Sequence, residues 1–502
     1  MKQTSQKTGK NFISVSAVIF ISKLLGFVRD IFFASIFGTT VLADIFQVIF
    51  SLPNLLFASI GNALSAVNIP DLTYFIKNRS LEERNRYMAQ LLSYVTIIAA
   101  LVSVAGMIMA PFIASIIAPG LREEVNDVAV ILTRIMAPTL LFVCLTYITA
   151  GILQVHGYFV LSSTISIPFN LLIIGSLLIS KDNIFIIGCC TTLGWLCQFL
   201  IQIPVLFKEK YHFQLQLNFK DPHVNNTLKN LIPILLGNAL LHLSLILDRT
   251  YAMNLPEGSA AALSFGSNLF ITITSVFIVA MSTVTFPQLS KYCIESNFKM
   301  AGRLITQSFK ILLFILAPYL ILVIMYNQNI VTLVYQRGAF GYDSTAMTSK
   351  AFLFYSLSVF GYACLELYNR AFFALKNFRV PMLVSIFCLA LNGFLDYLFY
   401  ETYGITALSL STSICLIIYA IIMSVLLRKN IGNFFTKDLC FYGAKLILPA
   451  LGMIACIQIT RYLLPVSQNV LGFLFPLLAS ASVYLIIAYL CGLHRVFFNK
   501  GD

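Results

Sequence analysis

Long apolar runs dominate the chain, and short polar or turn-rich breaks separate them. A run of about 20 apolar residues is the length that an α-helix needs to cross a bilayer. Such runs predict fourteen membrane-spanning helices, with the approximate limits 11–38, 41–70, 88–117, 125–153, 157–180, 183–207, 228–253, 258–290, 303–326, 345–375, 380–400, 404–427, 439–461 and 468–493. The predicted fold class is therefore an all-α polytopic membrane protein.

Composition and charge support this class. The chain is 59% hydrophobic and only 11% charged, whereas soluble proteins average about 25% charged residues. The net charge of +13 does not indicate nucleic-acid binding, because the basic residues are spread over short loops. If the N-terminus is cytoplasmic, the outside loops hold few basic residues, namely Arg122, Lys181, Arg337 and Arg461. The charge bias therefore predicts that both termini are cytoplasmic.

The sequence lacks the usual marks of an enzyme. Connections between the apolar runs are no longer than about 25 residues, too short for an extramembrane catalytic domain. No His-Glu-x-x-His, Gly-x-Ser-x-Gly or Walker-type motif occurs. We therefore predict a protein that is not an enzyme and has no organic cofactor, and whose work would be driven by ions, membrane potential or another protein.

A weak internal repeat predicts the domain organisation. The segments 69–75 and 286–292 share the form apolar-Pro-x-Leu-hydroxyl-x-aromatic, and each follows a charged pair, Arg29-Asp30 or Asp248-Arg249. Six spans separate the copies, so both halves would have the same orientation in the membrane. This pattern predicts two parallel six-helix lobes, 1–220 and 221–437, with transmembrane helices 13 and 14 added in 438–502.

The first apolar run carries charges in its interior. Lys23, Arg29 and Asp30 lie where an ionisable group costs about 3 kcal/mol on insertion scales, so such groups usually face a partner or a water-filled cavity. At helical spacing Ser22, Gly26 and Arg29 share one face. The helix would thus present a narrow polar stripe to the inside of the bundle, and the glycine in this stripe would leave space beside it. An internal ion pair that only fastens helices is the alternative.

A second polar group lies in the C-terminal half. Asn392 and Asp396 are four residues apart and share a helical face, while Thr412 lies on the next span and Asp248 on span 7. These side chains offer only hard oxygen ligands, which suit an alkali or alkaline-earth cation. Two aspartates without a cation would leave net negative charge in the membrane, which favours a bound ion or protonation. A hydrogen-bonded clamp between helices is the alternative.

Several motifs, in this order along the chain, carry a family resemblance. The runs Ser22–Asp30, Ala43-Asp44 and Leu52–Leu56, together with Pro70, resemble the first two helices of the MurJ/MviN lipid II flippases of the MOP exporter superfamily. Further matches are Asp248-Arg249, Leu255–Ser259, Phe286–Ser290, Tyr335–Phe340 and Arg370–Lys376. The motifs are specific as a set, although no single one would be.

The resemblance implies a transporter of the bacterial inner membrane with fourteen helices. It would move undecaprenyl-pyrophosphate-linked peptidoglycan precursor, lipid II, to the outer leaflet by alternating access, with helices 1, 2, 7 and 8 lining a cationic cavity. A pyrophosphate cannot cross hydrocarbon unpaired, and arginine grips phosphate oxygens in pairs. Arg29 and Lys23 are the predicted cations, and Asp30 and Asp44 would orient them and close the empty site.

The remaining predicted site residues also depend on the resemblance. Asn54 and Asn268 are predicted to contact substrate. The family usually carries arginine shortly after Asn54, where this chain has Phe57 and Ala58, and on helix 8, where this chain has Asn268. A family sodium site would comprise Asp248, Asn392, Asp396, Thr412 and the backbone carbonyl of Leu408, with Na⁺ as the bound ion.

The missing arginines make the cavity less cationic and leave other functions open. These are a flippase for another polyprenyl-linked glycan, such as an O-antigen or exopolysaccharide unit, and, at greater distance, a cation-coupled drug exporter. A scaffold for cell-wall enzymes is a non-transport alternative. The predicted partners are the lipid-linked glycan, membrane lipids and cell-wall synthesis enzymes, and no nucleic acid.

Overall fold

The computed structural model describes residues 2–51, 71–76, 78–117, 123–180, 182–218, 233, 236–237, 240–434, 437–463 and 470–497. Within these ranges the regular secondary structure is helical throughout. In chain order the helices are α1 Lys2–Phe37, α2 Val41–Ser51, α3 Leu81–Ile108, α4 Ala110–Ile117, α5 Glu123–Met136, α6 Thr139–Val155, α7 Phe159–Thr164, α8 Ser166–Ser180, α9 Ile184–Leu200, α10 Ile203–Lys208, α11 Leu240–Ala252, α12 Ser259–Ile294, α13 Phe298–Tyr335, α14 Tyr342–Ser356, α15 Val359–Ala374, α16 Arg379–Tyr403, α17 Ile405–Ile431, α18 Lys437–Leu463 and α19 Val470–Leu490, followed by a 3-10 helix Leu493–Phe497.

The predicted class of all-α polytopic membrane protein is confirmed. In the described ranges nine helices are long and apolar enough to cross a membrane, or ten if α14 and α15, which are bent by 48°, form one span. The total of fourteen stays a prediction, because parts of several predicted spans lie outside the described residues. Helical spans are the expected form, since each satisfies its backbone hydrogen bonds internally where no water is available.

Local sequence signals explain where several helices begin and end. Ser80 and Glu83 form a capping box at the start of α3, which satisfies two backbone donors that the first turn leaves without partners. Asn297 accepts a hydrogen bond from the backbone N–H of Met300 at the start of α13. Gly404 separates α16 from α17 with a φ of 57°, a conformation that glycine adopts at little cost. These signals turn continuous apolar sequence into separate helices.

The structure divides into two compact units. Unit 1 comprises Met1–Ala261 and Arg337–Gly341, and unit 2 comprises Ala262–Gln336 and Tyr342–Asp502. The predicted division into 1–220, 221–437 and 438–502 stays a prediction, since its first boundary falls among residues 219–232, outside the described ranges.

Unit 1 contains a buried cluster centred on α3 and α6, with Tyr87, Leu91 and Ile152 among its members. In unit 2 a second cluster joins α13, α18 and α19 through Tyr326, Met453, Tyr484 and their neighbours. Glycine permits close helix approach in unit 2, where a Cβ at Gly361 would lie 2.9 Å from the Leu416 backbone. Small residues at such crossings are typical of helix packing in membranes.

A polar network fastens one end of unit 1, beyond the apolar part of its helices. His156 Nδ1 lies 3.2 Å from Glu209 Oε2, and His156 Nε2 lies 2.9 Å from the Tyr211 hydroxyl. The Tyr158 hydroxyl donates to Glu209 Oε1 at 2.8 Å, and the Arg84 guanidinium stacks 4.0 Å above the Tyr211 ring. Burial lowers the pKa of His156; Glu209 opposes this shift and Arg84 adds to it. The neutral imidazole is therefore favoured in the folded protein.

Candidate functional site

Arg29 forms the centre of the polar stripe in α1. Its Nη2 and Nε donate to Asp30 Oδ1 at 2.7 and 3.0 Å, and its Nη1 donates to Asn170 Oδ1 at 3.2 Å. The Arg29 and Asp30 side chains remain 15% and 14% exposed. In this conformation Asp30 neutralises the guanidinium locally, which is the arrangement expected of charges held inside a bilayer.

The stripe faces α8 through Asn170. Asn170 Nδ2 donates to the carbonyls of Ser166 and Ser22, at 3.0 and 3.4 Å. The Ser22 hydroxyl donates in turn to the carbonyl of Ser163 at 3.3 Å. Sequence reasoning missed Asn170, although a lone amide inside an apolar run was the available signal. The partner of the predicted stripe is thus a helix of the same unit.

The glycine in this stripe lies beside the Asn170 side chain. A Cβ at Gly26 would meet the Asn170 side chain at 3.7 Å, an ordinary van der Waals contact. Among the described residues an alanine side chain would therefore meet no clash at this position. Lys23 lies on an exposed part of α1.

Aromatic rings surround the Arg29 guanidinium. The ring centroids of Phe50 and Phe169 lie 5.2 and 5.6 Å from its central carbon, within cation–π range. Among the described residues the cavity beside Arg29 and Asp30 has a volume of about 10 Å³, which is room for roughly one water molecule. A bulky head group thus does not fit at this point of the described structure, and its binding would require the site to open.

Asp44 lies at a different point of unit 1, where it caps the start of α12. Its Oδ2 accepts from the backbone N–H of Gly258 at 2.7 Å, and its Oδ1 accepts from that of Ala261 at 2.6 Å. In exchange, Glu257 Oε1 accepts from the N–H of Val41 at 3.0 Å, at the start of α2. Each helix start therefore receives a carboxylate from the other segment, which satisfies donors that helix ends leave open and complements the helix dipole.

Close backbone contacts lock this region further. We name the segments 35–44, 256–261 and 337–341 the loop interlock. Gly258 has a φ of +87°, and a Cβ there would lie 2.3 Å from the Thr39 carbonyl oxygen. Gly338 has a φ of +59°, and its added Cβ would lie 2.2 Å from the Ser35 carbonyl oxygen. That same carbonyl accepts from Ala339 N at 2.8 Å. Only glycine fits at both positions.

The residues predicted to bind sodium are buried. Asn392, Asp396, Leu408 and Thr412 in unit 2 have no exposed surface, nor has Asp248 in unit 1. Asn392 Nδ2 donates to Thr412 Oγ1 at 3.4 Å, so the structure brings this pair together. Among the described residues, Asn392 Oδ1 is buried without a hydrogen-bond donor. A buried amide oxygen one helical turn from a buried carboxylate is a donor set that fits a hard cation.

The other predicted site residues are less informative. Asn54 lies outside the described residues, as does most of predicted span 2. Asn268 lies in α12 of unit 2 and is partly buried. Asn268, Lys23 and Asn54 therefore stay predictions, as do the assigned roles of Arg29, Asp30 and Asp44.

Comparisons with known proteins agree with the sequence motifs. The family model described as "Lipid II flippase MurJ" matches residues 33–480. The chain belongs to the MurJ family. This family is one of lipid flippases, which are transporters and not enzymes, and the predicted resemblance is confirmed.

Relatives and solved structures extend this finding. The chain is 29% identical over 416 residues to a probable lipid II flippase MurJ of Buchnera aphidicola subsp. Baizongia pistaciae, covering 81% of this chain and 80% of the relative. It is 24% identical over 430 residues to the lipid II flippase MurJ of Burkholderia cenocepacia, with 83% of each covered. A solved MurJ in an inward closed conformation matches with a TM-score of 0.79 and 25% identity, over 97% of this chain and 99% of that one.

The fold of this chain also resembles that of drug transporters. An inward-facing multidrug resistance MATE family transporter of the MOP superfamily matches with a TM-score of 0.68 and 13% identity, over 85% of this chain and 99% of that one. At this identity the likeness concerns the fold alone.

Proposed function

We propose that this chain translocates lipid II across the bacterial inner membrane, with both termini in the cytoplasm. Membership of the MurJ family supports the substrate class. The observation that carries the mechanism is the Arg29–Asp30 pair, a guanidinium and a carboxylate held partly exposed inside a membrane helix. A fixed cation is what a pyrophosphate needs once it has left water.

In the proposed cycle Asp30 is the counterion of the empty site. Two N–H groups of Arg29 donate to one Asp30 oxygen, and a third donates to Asn170. A pyrophosphate offers more acceptor oxygens and more negative charge, and it can grip the planar guanidinium in two places. Substrate would therefore displace Asp30, and Asn170 and the rings of Phe50 and Phe169 would keep the guanidinium oriented during the exchange.

Alternating access supplies the second part of the proposal. The loop interlock would be the closed outer gate, because its contacts are backbone hydrogen bonds and two carboxylate caps that can break together. Opening would release Asp44 from Gly258 and Ala261 and would expose the site to the outer leaflet.

Sodium coupling is the third part. Asn392, Asp396, Thr412 and the Leu408 carbonyl, all buried in unit 2, would hold the ion, because they offer the hard oxygen donors that suit Na⁺. The buried Asn392 Oδ1 described above supports this assignment. Binding would then add a free energy that biases one state of the cycle, provided that the ion prefers that state.

Complementation of a bacterium depleted of its own lipid II flippase tests the function. The wild-type chain should restore growth, and Arg29→Ala should not. Arg79→Ala is the matched control, because Arg79 is an exposed arginine that pairs with Glu83 at the start of α3. Equal membrane levels of all three proteins must be shown by immunoblot.

Two outcomes would contradict the proposal. Full rescue by Arg29→Ala would remove the substrate role of the guanidinium. Failure of the wild-type chain, together with rescue of a strain that lacks a flippase for another polyprenyl-linked glycan, would replace lipid II as the substrate.

A further inference from the structure

Unit 2 contains a large cavity at one end of its helices. Its volume is about 670 Å³, within the range of about 300–1,000 Å³ typical of small-molecule sites. It lies where α13 begins, α17 ends, α18 begins and the terminal 3-10 helix follows. Its lining residues include Phe298, Gly302, Ile431 and Val496 on the apolar side. None of these residues belongs to the substrate or sodium sites proposed above.

The polar lining of this cavity is strongly basic. Lys299, Arg303 and Lys310 line it, and Asp438 is the one carboxylate among its described lining residues. A smaller cavity of about 200 Å³ shares Lys310 and Asp438 and adds two further cations, Lys445 and Arg495. We name these five cations and Asp438 the basic end site. Such an excess of positive charge around one recess favours an anionic ligand.

Hydrogen bonds between the elements that line the recess fix its shape. The Thr306 hydroxyl on α13 donates to the carbonyl of Phe434 at 2.7 Å, which fixes the segment after α17. Gln307 Nε2 donates to the carbonyl of Val496 at 3.4 Å, which ties α13 to the 3-10 helix. The Tyr442 hydroxyl on α18 donates to the carbonyl of Leu493 at 3.3 Å. The cations therefore project from a fixed frame.

One ion pair inside the site can exchange its partner. Lys310 pairs with Asp438; the lysine side chain is only 14% exposed, whereas the aspartate is 73% exposed. The Lys310 ammonium also lies 5.7 Å from the Tyr442 ring centroid. The lysine is thus held inside the site, while its carboxylate partner can turn into water at low cost. An incoming anion would take the place of Asp438.

The position of the site in the membrane selects the ligand. The ends of membrane-spanning helices lie at the water boundary, where phospholipid head groups lie and where Lys and Arg clusters bind anionic lipids. The apolar residues of the lining suit the glycerol backbone and the first acyl carbons. We propose that the basic end site binds the phosphate of an anionic glycerophospholipid, which makes this lipid a bound component of the protein.

The test compares lipids and variants on the detergent-solubilised full chain by native mass spectrometry. Wild-type protein should bind short-chain phosphatidylglycerol more tightly than phosphatidylcholine of equal chain length. Lys310→Gln should weaken phosphatidylglycerol about fivefold, the effect of one basic residue near an anionic lipid surface. Asp438→Asn should tighten it by a similar factor, because the competing carboxylate is gone.

Controls separate this site from net charge and from free phosphate. Lys291→Gln removes an equal charge from an exposed lysine, paired with Glu295, outside the site, and should leave phosphatidylglycerol affinity unchanged. Inorganic phosphate is the soluble probe and should compete weakly, since it lacks the apolar part. Opposite shifts in Lys310→Gln and Asp438→Asn support the proposal, because a merely structural ion pair would weaken binding in both.

Three results would overturn it. The first is equal affinity for phosphatidylglycerol and phosphatidylcholine. The second is an equal loss in Lys310→Gln and Lys291→Gln. The third is inorganic phosphate that binds the site while phosphatidylglycerol does not displace it.

Discussion

Replacing Asp44 by alanine tests the loop interlock directly. Asp44 is 5% exposed, and its two oxygens accept the N–H groups of Gly258 and Ala261 at 2.7 and 2.6 Å. Alanine would leave both donors buried without this acceptor. Loss of a partner from a buried donor costs about 1–3 kcal/mol, and loss of an N-cap about 0.5–2 kcal/mol. Two donors lose their acceptor, and the cap estimate overlaps with these losses rather than adding to them, so we expect a local loss of about 3 kcal/mol.

This loss predicts a large change in local opening. At 1.36 kcal/mol for each factor of ten, 3 kcal/mol raises the open population of the interlock roughly hundredfold. Hydrogen–deuterium exchange of the peptide that contains Gly258 and Ala261 measures this population, since amides exchange when the segment opens. The peptide around Asn392, in unit 2, is the internal reference and should exchange as in the wild type.

Two further variants should increase the exchange by smaller amounts than Asp44→Ala does. Asp44→Asn keeps one acceptor oxygen and should give an intermediate increase. Glu257→Gln changes the reciprocal cap at an exposed residue, where a cap contributes less, so its increase should be the smallest. An unchanged exchange rate at Gly258 and Ala261 in Asp44→Ala would refute the reasoning, since it would mean that these bonds do not hold the interlock closed.

Three further predictions concern single residues. Gly258→Ala should abolish transport or folding, because its Cβ would overlap the Thr39 carbonyl oxygen; complementation and membrane levels measure this, and normal transport would contradict it. Asp396→Asn should remove any Na⁺ dependence of transport in proteoliposomes, and unchanged dependence would remove the ion assignment. Burial lowers the pKa of His156 in the folded protein. The neutral His156 side chain therefore contributes its full stabilisation above the ordinary histidine pKa of about 6.5. This stabilisation is lost as the pH falls below that value, because the unfolded chain then binds the proton more readily. The melting temperature should therefore fall less on acidification in His156→Gln than in the wild type, and identical pH profiles would contradict this.

The sequence by itself determined the class of protein. Apolar runs of membrane-spanning length leave helices as the solution, because a chain in hydrocarbon must satisfy its backbone internally. It also marked Arg29 and Asp30 as the costly residues of the first span and Asn392 and Asp396 as a buried pair on one helical face. Those inferences need only spacing along a single helix, which has a fixed geometry.

Only the tertiary structure decided which distant groups these residues meet. Asp44 caps a helix start 214 residues away, and Asn170 contacts Arg29 from a position 141 residues away. The cations of the basic end site extend from Lys299 to Arg495 and form no pattern along the chain. Helix-to-helix pairing depends on how whole surfaces pack, and periodicity within one helix carries no information about its neighbours. That is why the sequence identified Arg29 and its neighbour Asp30, but not the distant groups that Arg29 and Asp44 contact.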